Sequence, residues 1–139
     1  MFFTYTVGMH ARHARGTRCR RRVGAGRWAV RARVERFVEP AILLLLRERT
    51  LHGYELIDLL PELTGGERID VGNLYRTLRA LEDDGIVTSE WSASLPGPAK
   101  RTYELTGEGR RLLDLWAEAL RESQSIVASF LKRHDQERR

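Results

Sequence analysis

The side chains best equipped to engage a partner are gathered in one short stretch, Asp70 to Gly85. On a helix, Asn73, Arg76 and Arg79 share a face with Gly72, and Tyr75 stands on its flank. Small, amide and guanidinium groups on one helix face can enter a major groove and bond base edges or phosphates. The chain offers little for covalent chemistry. His10, His13, His52 and His134 are scattered, and no nucleophile is spaced to meet a base. Gly65-Gly66 lacks the following Lys-Ser/Thr of a phosphate loop. Cys19 is the only cysteine, so neither an internal disulfide nor a cysteine zinc cluster is possible. The expectation is a binding protein, not an enzyme, without metal or cofactor.

Stepping outward from those residues, Leu74, Leu78 and Leu81 recur at i, i+4 and i+7 on the opposite side of the helix. Asp70 is placed as its N-cap and Gly85 as its C-terminal stop. Taken alone, such a helix reads as scaffold with solvated arginines. The segment that follows reverses that reading. Ile86 to Trp91 alternates like a strand, Ser92 to Ala99 is turn-rich, and Lys100 to Leu105 is a second strand with Lys100 and Arg101 beside the loop. Helix, strand, basic turn, strand is the order of a winged helix-turn-helix.

Upstream, a first helix is expected around Val34 to Glu48, with Pro40 in its first turn. Residues 41–46 are apolar on all sides and mark it as core. Arg47 to Leu51 is a connection. A second helix begins at His52 with Leu56, Leu59 and Leu60 facing inward, and Pro61 marks its kink or end. Leu63 to Ile69 loops to the polar helix. His52, with no second ligand at helical spacing, is expected to bond backbone at the helix start.

The 139 residues suit one domain, and the net charge of +5 is unevenly spread. Residues 1–36 hold ten arginines against one acid, Glu35, whereas residues 37–139 hold 14 basic and 18 acidic residues. Residues 1–33 show no helical or strand period and read as an Arg-rich flexible arm. A polyanion-binding arm, a solvated tail, and translation that begins downstream, for example at Met9, all fit them. The longest apolar run, Ala41 to Leu46, is far short of a membrane span, and the N-terminus lacks the pattern of a signal peptide. A cytoplasmic protein that avoids membranes is expected.

From Thr106 to about His134 runs one long helix, striped by Leu113, Trp116, Leu120, Val127 and Phe130 and broadened by Leu112, Ile126 and Leu131. Such a helix spans roughly 40 Å, more than a domain this small can cover. The five stripe residues are therefore expected at an interface with a second copy of the chain. The expected fold is mainly α with a small β-hairpin. Residues 1–33 form the arm, 34–105 the winged helix-turn-helix, and 106–139 the C-terminal dimerisation helix and tail.

These motifs together resemble the PadR-like transcriptional regulators, in particular the short subgroup with a single C-terminal helix. The resemblance runs from about Phe37 to Leu131. It is carried by His52-Gly53-Tyr54-Glu55-Leu56, by Gly72-Asn73-Leu74-Tyr75 with Leu78, Leu81-Glu82 and Gly85, and by Trp91, Gly97-Pro98, Arg101, Tyr103, Leu105-Thr106 and Gly109. Asn73 stands where the family usually has Thr or Ser, and Arg76 where Pro is common, which bears on base preference. The resemblance implies a homodimeric regulator of double-stranded DNA, usually a repressor, on an inverted-repeat operator. Its DNA-contacting candidates here are Tyr54, Asn73, Tyr75, Arg76, Arg79, Lys100 and Arg101. In some relatives a planar aromatic small molecule binds between subunits near a tryptophan of the last helix; Trp116 is the candidate, with dimer packing as its other role. A winged-helix protein-interaction module without specific DNA binding is the alternative, kept open by Glu82, Asp83 and Asp84.

Overall fold

The computed structural model describes residues 20–24, 27–30, 37–66, 68–92 and 100–137. In chain order the elements are β1 (Arg20–Gly24), β2 (Arg27–Val30), α1 (Val38–Glu48), β3 (Leu51–His52), α2 (Gly53–Leu63), α3 (Val71–Asp83), β4 (Val87–Ser92), β5 (Lys100–Leu105) and α4 (Gly107–Gln136). Residues 37–117 form one compact unit. Its sheet is antiparallel in the order β3-β5-β4. The architecture is a winged helix-turn-helix followed by a long helix, as the sequence pattern implies.

The core draws on every element of that unit. Ile42, Leu43, Leu45 and Leu46 of α1 meet Leu56 and Leu60 of α2, Leu74, Leu78 and Leu81 of α3, Val87 of β4, and Tyr103 and Leu105 of β5. Burying a leucine or isoleucine stabilises by about 1.5–3 kcal/mol, so α1, buried on most sides, is the central support. Pro40 lies in its first turn, where no N–H is needed. Residues 34–36, where this helix was expected to begin, lie outside the described residues.

Two expectations in this region are corrected. The connection before α2 contains a two-residue strand, β3, paired through Leu51 with Tyr103 and His52 with Thr102. Two residues are too short to display a period. Further on, α2 passes through Pro61 and closes at Leu63. Proline removes a single backbone bond, and the last turn is closed by Thr64, whose N–H and hydroxyl both donate to Leu60 O at 3.0 Å.

Helix α3 begins and ends on its expected caps. Asp70 Oδ1 accepts from the N–H groups of Gly72 at 3.0 Å and Asn73 at 3.4 Å. At the far end Gly85 adopts φ +74°, Ile86 N–H donates to Leu81 O at 2.8 Å and Gly85 N–H to Glu82 O at 3.0 Å. This is the paired closure that a left-handed residue after a helix permits.

The entry to α4 is the tightest joint of the unit. The Thr106 hydroxyl lies 2.7 Å from Gly85 O and accepts from Gly109 N–H at 3.0 Å. A Cβ on Gly109 would fall 2.4 Å from Ile86 O, a backbone atom that cannot step aside. The stripe of α4 then divides. Leu113 belongs to the core of residues 37–117, and Trp116 is half-buried against it. That corrects the expectation of one continuous surface left for a second copy: the core of this same chain takes the first turns. Farther along, Ile126, Val127, Phe130 and Leu131 are each at least half exposed.

Outside residues 37–117, β1 and β2 pair as an antiparallel hairpin, Arg20 opposite Val30 and Arg22 opposite Trp28. This corrects the expectation of no regular structure in residues 1–33. β1 opens on three arginines and β2 runs Arg27-Trp28-Ala29-Val30, so neither shows a clean apolar alternation, yet their backbones can pair. Residues 1–19 lie outside the described residues, with Met9, His10, His13 and Cys19. Among the described residues no helix is long and apolar enough to cross a membrane.

Gly109→Ala is expected to lower stability by about 1–3 kcal/mol, the cost of forcing a methyl into filled space. Chemical unfolding monitored by circular dichroism measures it, and an unchanged midpoint refutes the close approach.

Candidate nucleic-acid interface

Burial of Leu74, Leu78 and Leu81 turns the other side of α3 outward. Asn73, Tyr75, Arg76 and Arg79 are all exposed there. The start of α2 comes up beside them. Tyr54, 46% exposed, is its second residue, and Gly53 ahead of it leaves room for Tyr75. A Cβ on Gly53 would lie 2.8 Å from the Tyr75 ring and from its hydroxyl. The wing completes the face from the other side. Lys100 Nζ sits 4.8 Å over the Tyr54 ring, which itself stacks on His52 at 5.4 Å.

These elements enclose an open groove of about 670 Å³ that brings together Tyr54, Tyr75, Arg79, Lys100 and Arg101. Asn73 and Arg76 lie outside the groove, on the exposed face of the same helix. The seven expected DNA-contacting residues thus form two sets: one along α3, and one around a trough between α3, α2 and the wing. The Gly97-Pro98 tip of the wing lies outside the described residues.

Arg101 is held differently from the rest. Its Nε donates to Ser89 Oγ at 2.7 Å, and its Nη2 lies 3.4 Å from Glu82 Oε2. The Ser89 hydroxyl donates to the other Glu82 oxygen. The guanidinium also lies 5.5 Å over the Trp91 ring. Sequence reasoning took Glu82 and Trp91 as family marks, with Glu82 also an acid that favours the protein-interaction alternative, and did not single out Ser89. All three converge on the wing arginine because β4 and β5 pair Ser89 with Tyr103 and Trp91 with Arg101. Beneath them, burial pushes the Tyr103 phenol above its ordinary value, with Arg101 pulling the other way. Tyr103 therefore stays neutral at physiological pH.

His52 serves the frame. Its N–H donates to Glu55 Oε1 at 3.0 Å, and its Nδ1 lies 3.2 Å from the Thr102 hydroxyl. Among the described residues, no group of three His, Cys, Asp or Glu side chains is arranged to hold a metal ion.

A model of the "Transcriptional regulator PadR-like family" matches residues 42–115. The chain belongs to the PadR-like family of transcriptional regulators. Solved structures agree on the fold. A PadR family regulator of Clostridium difficile R20291 is 24% identical over 68% of this chain and 98% of that one, with a TM-score of 0.62. A PadR-like transcription factor of Bacteroides fragilis is 29% identical over 67% of this chain and 88% of its own, with a TM-score of 0.59. Bacillus subtilis PadR, solved in complex with operator DNA, is 30% identical over 59% of this chain and 47% of its own, with a TM-score of 0.53. No curated protein matches the sequence.

The family match closes within α4, one residue before Trp116. Trp116 Nε1–H donates to Glu39 Oε2 at 2.7 Å, tying the last helix to the first turn of α1. In this PadR-like chain the tryptophan is thus engaged within its own chain. Glu39→Ala is expected to cost about 1.5–3 kcal/mol, the range for a hydrogen bond to a charged group. Equilibrium unfolding of the variant reads that loss, and wild-type stability would sever the Trp116–Glu39 link.

Proposed function

We propose that the protein is a sequence-specific double-stranded DNA-binding transcriptional regulator, a repressor, that acts as a homodimer on an inverted-repeat operator. The observation that carries this reading is the outward face of α3, with Asn73, Arg76 and Arg79 exposed opposite three buried leucines in a PadR-like winged helix. That the Bacillus subtilis relative was solved on operator DNA supports the choice of partner.

On this reading α3 enters the major groove. Arg76 and Arg79 supply forked donors for guanine edges or phosphates, and Asn73 supplies an amide for a base edge. Tyr54, Tyr75 and Lys100 border the neighbouring trough, where a phosphate backbone running past α3 gains hydroxyl and ammonium partners. Arg101 stands on the same face. Residues 34–105 act as the DNA-binding part and 106–139 as the dimerising part, with the arginines of residues 1–33 adding attraction for any duplex. For Trp116 the bond to Glu39 supports a packing role over an effector site.

Selection of bound duplexes from a random pool is expected to recover inverted half-sites, their centres about 34–36 Å or a multiple apart. Arg76→Ala with Arg79→Ala is expected to cost about 1–3 kcal/mol per lost bidentate contact and to relax preference at the matching base pairs. Unchanged affinity and preference would remove α3 as the reader. Absence of salt-dependent duplex affinity in the wild type would favour the protein-interaction module, which Glu82 and Asp83 beside the groove suit.

The exposed Ile126, Val127, Phe130 and Leu131 support dimerisation through the outer part of α4. Sedimentation equilibrium at micromolar concentration is expected to give twice the 16.0 kDa chain mass, and Val127→Glu with Phe130→Glu to give the single mass. A wild-type monomer that still binds DNA specifically would remove the dimer.

A further inference from the structure

Glu82 and Asp83 bring the wrong sign to the groove of the proposed DNA face, and the placement of Glu82 is specific. It belongs to the recognition helix α3, yet its carboxylate turns to the wing and takes hydrogen bonds from Ser89 of β4 and Arg101 of β5. Ser89 relays between them by accepting from Arg101 Nε. The guanidinium also lies over the Trp91 ring. A guanidinium whose Nε and Nη2 are bonded to Ser89 and Glu82 has one edge occupied and part of its charge compensated. Less of that charge is left for a phosphate. Lys100, one residue earlier on β5, has only the Tyr54 ring beneath its ammonium among these contacts, and that contact leaves the ammonium open to a phosphate.

We infer that Glu82 is a positioning and specificity-determining residue. It latches Arg101 to the recognition helix, which fixes the wing relative to α3 and withholds one positive charge from non-specific phosphate binding. The inference rests on the DNA-binding reading. Its physical basis is that an arginine free to neutralise a phosphate releases counterions on any duplex, so it raises affinity for all sequences alike. A latched arginine supplies geometry without that indiscriminate attraction. The ratio of specific to non-specific affinity is therefore higher with Glu82 than without it.

The test is a cycle of Glu82→Gln, Arg101→Ala and the double variant in the full-length chain. Each is titrated with a selected operator duplex and an unrelated duplex over a range of salt. For the unrelated duplex, Glu82→Gln is expected to steepen the dependence of log affinity on log salt by about one. The same variant is expected to bind it several-fold more tightly at low salt and to lose discrimination by a similar factor. Arg101→Ala alone is expected to leave the slope at its wild-type value, and the double variant to return to that value. Glu82→Asp, which keeps the carboxylate, is expected to retain the wild-type slope.

The idea is overturned if Arg101→Ala lowers the slope by about one in the wild-type background, because Arg101 then already holds a phosphate. It is equally overturned if Glu82→Gln steepens the slope as much without Arg101 as with it, because Glu82 then acts by plain repulsion. The latch also has a readout that needs no DNA. The urea midpoints of the four proteins are expected to be non-additive, and additive midpoints would dissolve the coupling whatever the DNA results. A wild-type protein without salt-dependent duplex affinity, combined with non-additive midpoints, would instead remove the regulator reading and the specificity role while leaving the latch in place.

Discussion

Burial of Leu74, Leu78 and Leu81 is the constraint on which the rest depends. Each is at most 3% exposed, and together they fix the rotation of α3 about its own axis. Adjacent residues on a helix differ by 100°, so a rotation by one position would drive at least two leucines into water and arginine or asparagine into the core. The exposed face of α3 is thus held in place by side chains on the opposite, buried side. Its axial position is fixed as firmly, by Asp70 at one end and the closure around Gly85 at the other. A helix so determined in rotation and length presents Asn73, Arg76 and Arg79 as a rigid set. On the DNA-binding reading, that rigidity is what lets a contact discriminate between bases.

Charge is distributed by a different logic. Residues 37–139 carry more acids than bases, so the body of the molecule does not attract a polyanion as a whole. On the DNA-binding reading, the local cations of the proposed face carry the attraction: Arg76 and Arg79 on α3, and Lys100 on the wing. Arg101 shows the opposite treatment, a cation tied to an acid of the element it faces. An ion pair this exposed contributes little to stability by itself. Its value lies in joining two elements that otherwise meet through a few strand contacts. The same acids that seemed to argue against nucleic acid in the sequence are then consistent with a surface that avoids indiscriminate binding.

Much of this was legible in the residues alone, for reasons that differ from place to place. The leucine spacing, Asp70 and Gly85 announced α3 because a helix on a core obeys one period and two caps. The wing was legible as alternation around a turn. β3 was not, because two residues have no alternation; its existence is decided by β5 alongside. Pro61 did not end α2, because it removes one bond to the preceding turn while two further residues, Glu62 and Leu63, still extend the helix. The hairpin of β1 and β2 was hidden because the Arg20-Arg21-Arg22 run and the short Arg27-Trp28-Ala29-Val30 strand show no alternation that says which way a strand faces. The Glu82–Ser89–Arg101 cluster was invisible for a more general reason. Its members lie 7 and 12 positions apart and meet only after β4 and β5 pair in a particular register.

Helix α4 shows how one element serves two ends. Its first turns are committed to the winged helix: Thr106 caps it onto the Gly85–Ile86 turn, Gly109 lets the backbone close to contact distance of Ile86, and Leu113 enters the core. None of these contacts allows the helix to pivot without breaking a hydrogen bond or opening a cavity. Its later turns carry Ile126, Val127, Phe130 and Leu131 at i, i+1, i+4 and i+5, one edge of a helix exposed along its length. An apolar edge of that periodicity is what a helix presents to another helix. On the dimer reading, the side chains that pack between copies are therefore distinct from those that seat the start of the helix on the winged helix.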